Sequence, residues 1–321
     1  MSTIPHSRSA ATHYEGASYP EFEEGFYPEG SSPASADRLR GFVEDLERDA
    51  SLVEPGRVRE RLDALDRLDA CLPCTLCARD GVVPELFLRA QAIRERLEQV
   101  NAQFYAEIRH RIKLGLRPCD LLRALMREDR NTECCALRYD HVDEVLSGVF
   151  QFEEPQGDPT RRDPERLFYQ PTAARQIFRL MDLAALTASD SFVDLGSGLG
   201  HVPMLVSICT GARSFGIEIE RAYVECARAC AQGLNLDRVT LVHGDVLEAD
   251  LSVGTVFYLY TPFMGSVLRA VLDRLRREAS TRRIRICSHG PCTPVIAKER
   301  WLAATNPPDA DSITVFSIVD L

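Results

Sequence analysis

The sequence predicts an α/β fold: a doubly wound, mostly parallel sheet preceded by an all-helical N-terminal domain. Three observations carry this expectation. From about residue 170 onward, short and nearly all-apolar runs of strand length alternate with amphipathic stretches. That is the pattern of a parallel sheet covered on both faces. From 36 to 150, apolar residues recur at helical spacing instead. Between the two regions, residues 151–165 carry three prolines and a glycine, a linker composition and the expected boundary. The expected units are therefore a tail or lid over 1–35, a helical domain over 36–150, the linker, and an α/β domain over 166–321.

Taken in order, residues 1–35 are rich in Ser, Pro, Gly and Glu, with aromatics at Tyr14, Tyr19, Phe22, Phe26 and Tyr27. They read as a tail whose aromatics could dock as a lid. The first helix carries Leu39, Phe42, Val43 and Leu46 on one face, and R-V-R-E-R-L-D-A-L-D-R-L continues the style. The longest helix opens with Pro84 in its first turn and stops before Gly115. Shorter helices are expected near Asp120–Met126 and His141–Val149. After the linker, Pro171 and Thr172 open a helix with Ile177, Leu180, Met181 and Ala184 at helical spacing. Six strands follow, S-F-V-D-L, S-F-G-I-E-I, V-T-L-V-H-G-D, T-V-F-Y-L-Y, I-R-I-C-S-H and I-T-V-F-S-I-V. Helices lie between the early ones, the first stopping at Gly211.

Composition narrows the function classes. The chain has a net charge of −10, and all of it lies in residues 1–165, with 22 basic and 32 acidic side chains against 16 of each in 166–321. An acidic half repels phosphate backbones, which argues against nucleic acid and leaves room for a basic protein partner. No run approaches the roughly 18 apolar residues of a membrane span, and the first residues lack an export signal, so a cytoplasmic protein is expected. Eleven cysteines, an odd number, fit reduced thiols. Cys71, Cys74 and Cys77 form two successive C-x-x-C spacings, but no second spaced pair completes a metal site. They read as small apolar residues of a helix, and no metal is expected.

The strongest chemical signal is Asp194-Leu195-Gly196-Ser197-Gly198-Leu199-Gly200-His201, which follows the first α/β strand and opens a helix. Glycines let the backbone turn sharply and approach a ligand with no Cβ in the way. A pyrophosphate loop needs a third glycine where this chain has His201. Asp194, just before the loop, would repel a pyrophosphate and suits a ligand with an ammonium group. S-adenosylmethionine is such a ligand. Glu218 ends the second strand, where it can accept both ribose hydroxyls. Asp245 follows the third, placed to take the adenine amino group beside the backbone of Val246. Three acids at three successive strand ends line one crevice, where open α/β sheets bind ligands.

D-L-G-S-G-L-G, then G-I-E-I, then H-G-D-V together resemble the class I, seven-strand S-adenosylmethionine-dependent methyltransferases over about residues 168–290. The resemblance implies that the Gly196–Gly200 loop, Ser197 and Gly198 included, lies against the methionine part, that Glu218 holds the ribose and that Asp245 reads adenine. The cofactor loop is similar to that of the non-SET histone-lysine methyltransferases. Their Asn-Asn-Phe after the fourth strand, and the Asn-Pro-Pro-Tyr of many N-methyltransferases, are replaced here by Tyr260-Thr261-Pro262-Phe263. With so little chain after Ser288, the closing antiparallel hairpin of the family is expected to be short or incomplete.

Methyl transfer from a sulfonium is an in-line displacement that depends mainly on positioning. Tyr260 and Phe263 are expected to border the methyl group, where their rings can stabilise positive charge. His201 and His289 are the candidate general bases. Tyr169, Gln170 and Thr172 precede the first helix of the α/β domain and are expected at the methionine end. A small-molecule acceptor between the two domains is the favoured reading. The alternatives are a lysine-type protein methyltransferase, a nicotinamide-dependent oxidoreductase and a non-catalytic nucleoside-binding module.

Overall fold

A computed structural model describes residues 33–77, 84–127, 140–152, 170–261 and 263–319. Most of the expected tail and linker lies outside these residues. The first half builds from α1 (Pro33–Arg48), α2 (Val58–Cys77), α3 (Pro84–Lys113), α4 (Cys119–Arg127) and α5 (His141–Phe150). Leu39 and Val43 of α1 meet Leu68 of α2 and Leu86 and Ala90 of α3 in one small core, with Leu52, Ala64 and Leu97 in a second. Arg61 is wholly buried in this layer. It is tolerated because its guanidinium donates to Asn101 Oδ1 at 2.7 Å and to the Leu52 and Glu54 carbonyls at 2.9 and 2.6 Å. Cys71 packs against the first of these cores. The side chains of Cys74 and Cys77 lie outside the described residues.

The second half contains α6 (Ala174–Leu183), β1 (Ser191–Leu195), α7 (His201–Thr210), β2 (Arg213–Glu218), α8 (Arg221–Gly233) and β3 (Val239–His243). It continues with β4 (Val256–Tyr260), α9 (Gly265–Ala279), β5 (Arg285–His289), α10 (Thr293–Ile296), β6 (Leu302–Ala304) and β7 (Thr314–Ile318). The strands form one sheet in the order β3-β2-β1-β4-β5-β7-β6. The pairs from β3 through β5 are parallel, whereas β7 runs antiparallel to both neighbours. Six strands were expected and seven form among the described residues. The added one, β6, has three residues, too few for a periodic pattern to show. The closing hairpin is therefore short but paired, from Leu302↔Ile318 to Ala304↔Phe316.

The strand order reverses between β1 and β4, which opens a crevice at their carboxyl ends. Both strands are largely apolar because both faces are covered; Phe192, Val193, Phe257 and Leu259 are wholly buried. One core joins α9 to the sheet through Leu268, Leu272, Phe257 and Ile286. The other is continuous from Ile112, Leu125 and Val145 of the helical half to Ile177, Met181 and Leu205 of α6 and α7. The last helices of the first half thus form an outer layer on the sheet. No described helix is long and apolar enough to cross a membrane.

Candidate active site

The glycine loop starts where β1 ends. Gly196, Gly198 and Gly200 have φ of 96°, 51° and 79°, the left-handed region that a side chain disfavours. The amides of Gly196 and Ser197 both donate to the Ile217 carbonyl, at 2.9 and 3.0 Å, and that of Gly200 to the Ser197 carbonyl at 2.8 Å. Glu218 closes the turn from the side. Its Oε2 accepts from Gly198 N at 2.8 Å and its Oε1 from Glu220 N at 2.9 Å. Gly216 makes this approach possible, since a Cβ there would lie 2.6 Å from Ser197 Oγ.

Asp194 is 3% exposed. Burial first, and the Glu218 carboxylate second, push its pKa well above the usual range. Among the described residues no Lys or Arg forms an ion pair with either acid. Ser197 Oγ is buried without a hydrogen-bond partner. Gly244 N donates to the Glu218 carbonyl at 3.0 Å, which holds the end of β3 beside that of β2. Asp245 follows; its Oδ1 caps Leu247 N at 2.9 Å, and Val246 is buried next to it. The three acids therefore end three adjacent strands. Thr172 Oγ1 and Tyr258 OH share a buried hydrogen bond of 3.2 Å, which ties the segment before α6 to β4. Gln170 is exposed, and Tyr169 lies outside the described residues.

A second group forms where β4 and β5 end side by side. Tyr260 pairs with His289 in register, and their rings stack at 4.5 Å and 13°. Thr261, at φ 39°, donates from Oγ1 to the His289 carbonyl at 3.0 Å and accepts from Cys292 N at 3.3 Å. Gly290 is needed beside it, because a Cβ would sit 2.3 Å from that oxygen. Burial lowers the His289 pKa against the pull of Asp311 and Asp309, and Nδ1 is buried with no hydrogen-bond partner. Burial also raises the Tyr260 phenol.

The other two candidates lie in packing. Phe263 is buried in the α9 core. His201 meets the rings of Phe150 and Phe152 at 5.9 and 4.5 Å, and burial pushes its pKa down to about 4. It joins α5 to α7 as a neutral ring. Sequence reasoning missed Gly216, Thr261, Gly290 and the aromatic pair on His201. Gly216 was findable from its place two residues before Glu218, but the rest depend on contacts between distant segments.

The sequence model of the family described as "Histone methylation protein DOT1" matches residues 166–249. The 23S rRNA (uracil(1939)-C(5))-methyltransferase RlmD of Shewanella sp. (strain W3-18-1) is 33% identical over 103 residues, 32% of this chain and 21% of that protein. RlmD of Shewanella baltica (strain OS155 / ATCC BAA-1091) matches to the same extent. The chain thus spans about a fifth of the length of these curated relatives. Among solved structures, an RNA methyltransferase from Salinibacter ruber in complex with S-adenosyl-L-homocysteine is 31% identical. The match covers 46% of this chain and 94% of that one, with a TM-score of 0.38.

These findings correct one expectation. Net charge argued against nucleic acid, and a pocket between the two domains favoured a small-molecule acceptor, yet the curated relatives are named for methylating 23S rRNA. The physical error was to let an acidic half speak for the whole molecule, since residues 166–321, which hold the crevice, carry no net charge. The strand order, the glycine turn after β1 and the acid that ends β2 give the second half of the chain the fold of the class I S-adenosylmethionine-dependent methyltransferases.

Proposed function

We propose that this chain transfers the methyl group of S-adenosylmethionine to a base of RNA. The observation that carries the reading is the pair Asp194 and Glu218, two carboxylates at one crevice with no basic ion-pair partner among the described residues. A ligand with an ammonium and a sulfonium supplies the missing positive charge, whereas a pyrophosphate would add repulsion. The cofactor contributes an electrophilic methyl on a good leaving group.

The residues hold and orient. Asp194 takes the ammonium, and the turn at Gly196, Ser197, Gly198 and Gly200 admits the methionine part against bare backbone. Glu218 accepts from the ribose with the lone pairs left over from its two amide bonds. Asp245 and Val246 face the adenine. Gln170 and Thr172 close the methionine end. The match to the DOT1 family ends at residue 249, before β4, so it supports this cofactor half and does not bear on the acceptor.

On the acceptor side, the half-buried Tyr260 ring, backed by His289, offers a face on which a base stacks. The names of the RlmD relatives support RNA as its source. His289, held neutral by burial, takes a proton or a hydrogen bond from the acceptor. Methylating a pyrimidine carbon needs a thiolate that adds to the ring. Cys287 and Cys292 are wholly buried, with pKa values raised by burial. Among the described residues neither thiol beside β5 is placed for that step, and the acceptor we favour is a nitrogen or oxygen of the base.

Calorimetry with S-adenosyl-homocysteine tests the cofactor half, and absence of binding at millimolar ligand overturns it. Incubation with methyl-labelled cofactor and total RNA tests the acceptor. Label that is sensitive to ribonuclease and falls steeply with salt supports RNA. Label in a protein extract, with none in RNA, overturns RNA while leaving the cofactor assignment standing.

A further inference from the structure

Away from the cofactor crevice, a cleft of about 420 Å³ lies between α4 and α7. Its walls include Arg117, Cys119, Asp120, Arg123, Asp182 and Cys209. Cys119 is the first residue of α4, and Cys209 is near the last turn of α7. The two thiols line this one cleft at the seam between the helical layer and the sheet domain, near enough that each is the largest influence on the other's pKa. Both are partly exposed and unbridged.

We propose that Cys119 and Cys209 form a peroxide-reactive dithiol that closes to a disulfide, joining the helical layer to the helix that leaves the cofactor loop. This inference is independent of the proposed acceptor and of the crevice chemistry.

The surroundings favour Cys119 as the attacking sulfur. Cys209 donates a hydrogen bond to it, Arg123 supplies a second bond and a positive charge, and together they bring its pKa down to about 6. The first turn of α4 adds a favourable dipole. Asp120 opposes this. Asp182 binds Arg123 through two hydrogen bonds of 2.9 and 2.6 Å, which fixes the guanidinium in place. Arg117 is held on the other wall by the Thr210 carbonyl at 3.2 Å. Cys209 keeps its proton, since its contact with Cys119 and burial both raise its pKa. A low-pKa, accessible thiol beside a resolving thiol is the arrangement of redox-sensitive cysteines.

The step balances with hydrogen peroxide as oxidant. The Cys119 thiolate attacks one peroxide oxygen, the O–O bond breaks, and the displaced hydroxide leaves as water after taking a proton. Cys119 is now a sulfenic acid. Cys209 sulfur attacks it, the S–O bond breaks, the S–S bond forms, and the thiol proton leaves with the hydroxyl as a second water. Two thiols are oxidised and one peroxide is reduced.

The test uses the full, reduced chain treated with hydrogen peroxide, then alkylated and digested without reductant. The expected result is a cross-linked peptide holding Cys119 and Cys209, with a rise in Tm that dithiothreitol reverses, because a long loop has been closed. Cys209→Ser should lose the cross-link yet let dimedone trap sulfenic acid at Cys119. Cys119→Ser should show neither product and no rise in Tm. Alkylation of Cys119 should outpace that of Cys226 at neutral pH, and the gap should narrow as pH rises. Equal alkylation rates, or cross-links without this pair, would overturn the proposal.

Discussion

At the scale of single residues, Glu218 and His201 carry predictions of different kinds. Glu218 braces the glycine turn through two backbone amides and, in the proposed function, also holds the ribose. Glu218→Ala removes a charged acceptor whose hydrogen bonds are each worth about 1.5–3 kcal/mol, so S-adenosyl-homocysteine affinity should fall about ten- to a hundredfold. Titration calorimetry on the variant reads this directly. A fall below threefold would mean that the acid serves the turn alone. His201 makes a different prediction. Its folded pKa of about 4 lies below its ordinary 6.5, so the folded state binds this proton less readily than the unfolded one. The stability this provides is complete above about pH 6.5 and is lost as pH falls toward 4. Allowing for the solvent that reaches the ring, the loss is about 2 kcal/mol. Urea midpoints at several pH values should show it, and His201→Gln should flatten the slope.

At the scale of elements, close approach of two backbones decides which residues are possible. α5 lies so near α3 that a Cβ on Gly148 would sit 2.2 Å from the Tyr105 ring. Gly148→Ala should therefore cost about 1–3 kcal/mol through overpacking, read as a lower urea midpoint at an unchanged slope. The same substitution at Gly216 drives a methyl group into Ser197 and so into the cofactor turn. It should weaken S-adenosyl-homocysteine binding in addition to stability, whereas Gly148→Ala should leave binding within about twofold once refolded protein is compared. Equal effects of the two on binding would contradict the separation of these elements.

At the scale of the whole molecule, the helical half and the sheet share a core. Ile112, Leu125 and Val145 cover the same apolar surface as Ile177, Met181 and Leu205. A fragment of residues 166–321 would expose that face to water, and patches of this kind drive association. The fragment should aggregate or melt well below the full chain, as light scattering and a thermal scan would show. If it remains monomeric and melts at the same temperature, the helices are an ornament on an independent domain.

Much of the fold was legible because its signals are local. Apolar runs in β1 and β4, the helical spacing of Leu39 and Val43, Pro84 at a helix start and Gly211 at a helix stop are each set by neighbours a few residues away. The turn at Gly196–Gly200 and the acids Asp194, Glu218 and Asp245 were legible for the same reason, since each follows its own strand. β6 escaped because three residues carry no period and its partner lies beyond an intervening loop. Tyr260 and His289 were separate candidates in the sequence, and only in-register pairing of β4 with β5 stacks their rings. His201 stood as a candidate base in the sequence until Phe150 and Phe152, distant in the chain, packed against its ring and burial pushed its pKa down to about 4. The sequence alone determined the order of elements and the charge character of the cofactor crevice, because periodicity and strand-end residues act within one segment. The tertiary structure decided which side chains meet, because burial, stacking and thiol contact arise only when remote segments share one low-dielectric space.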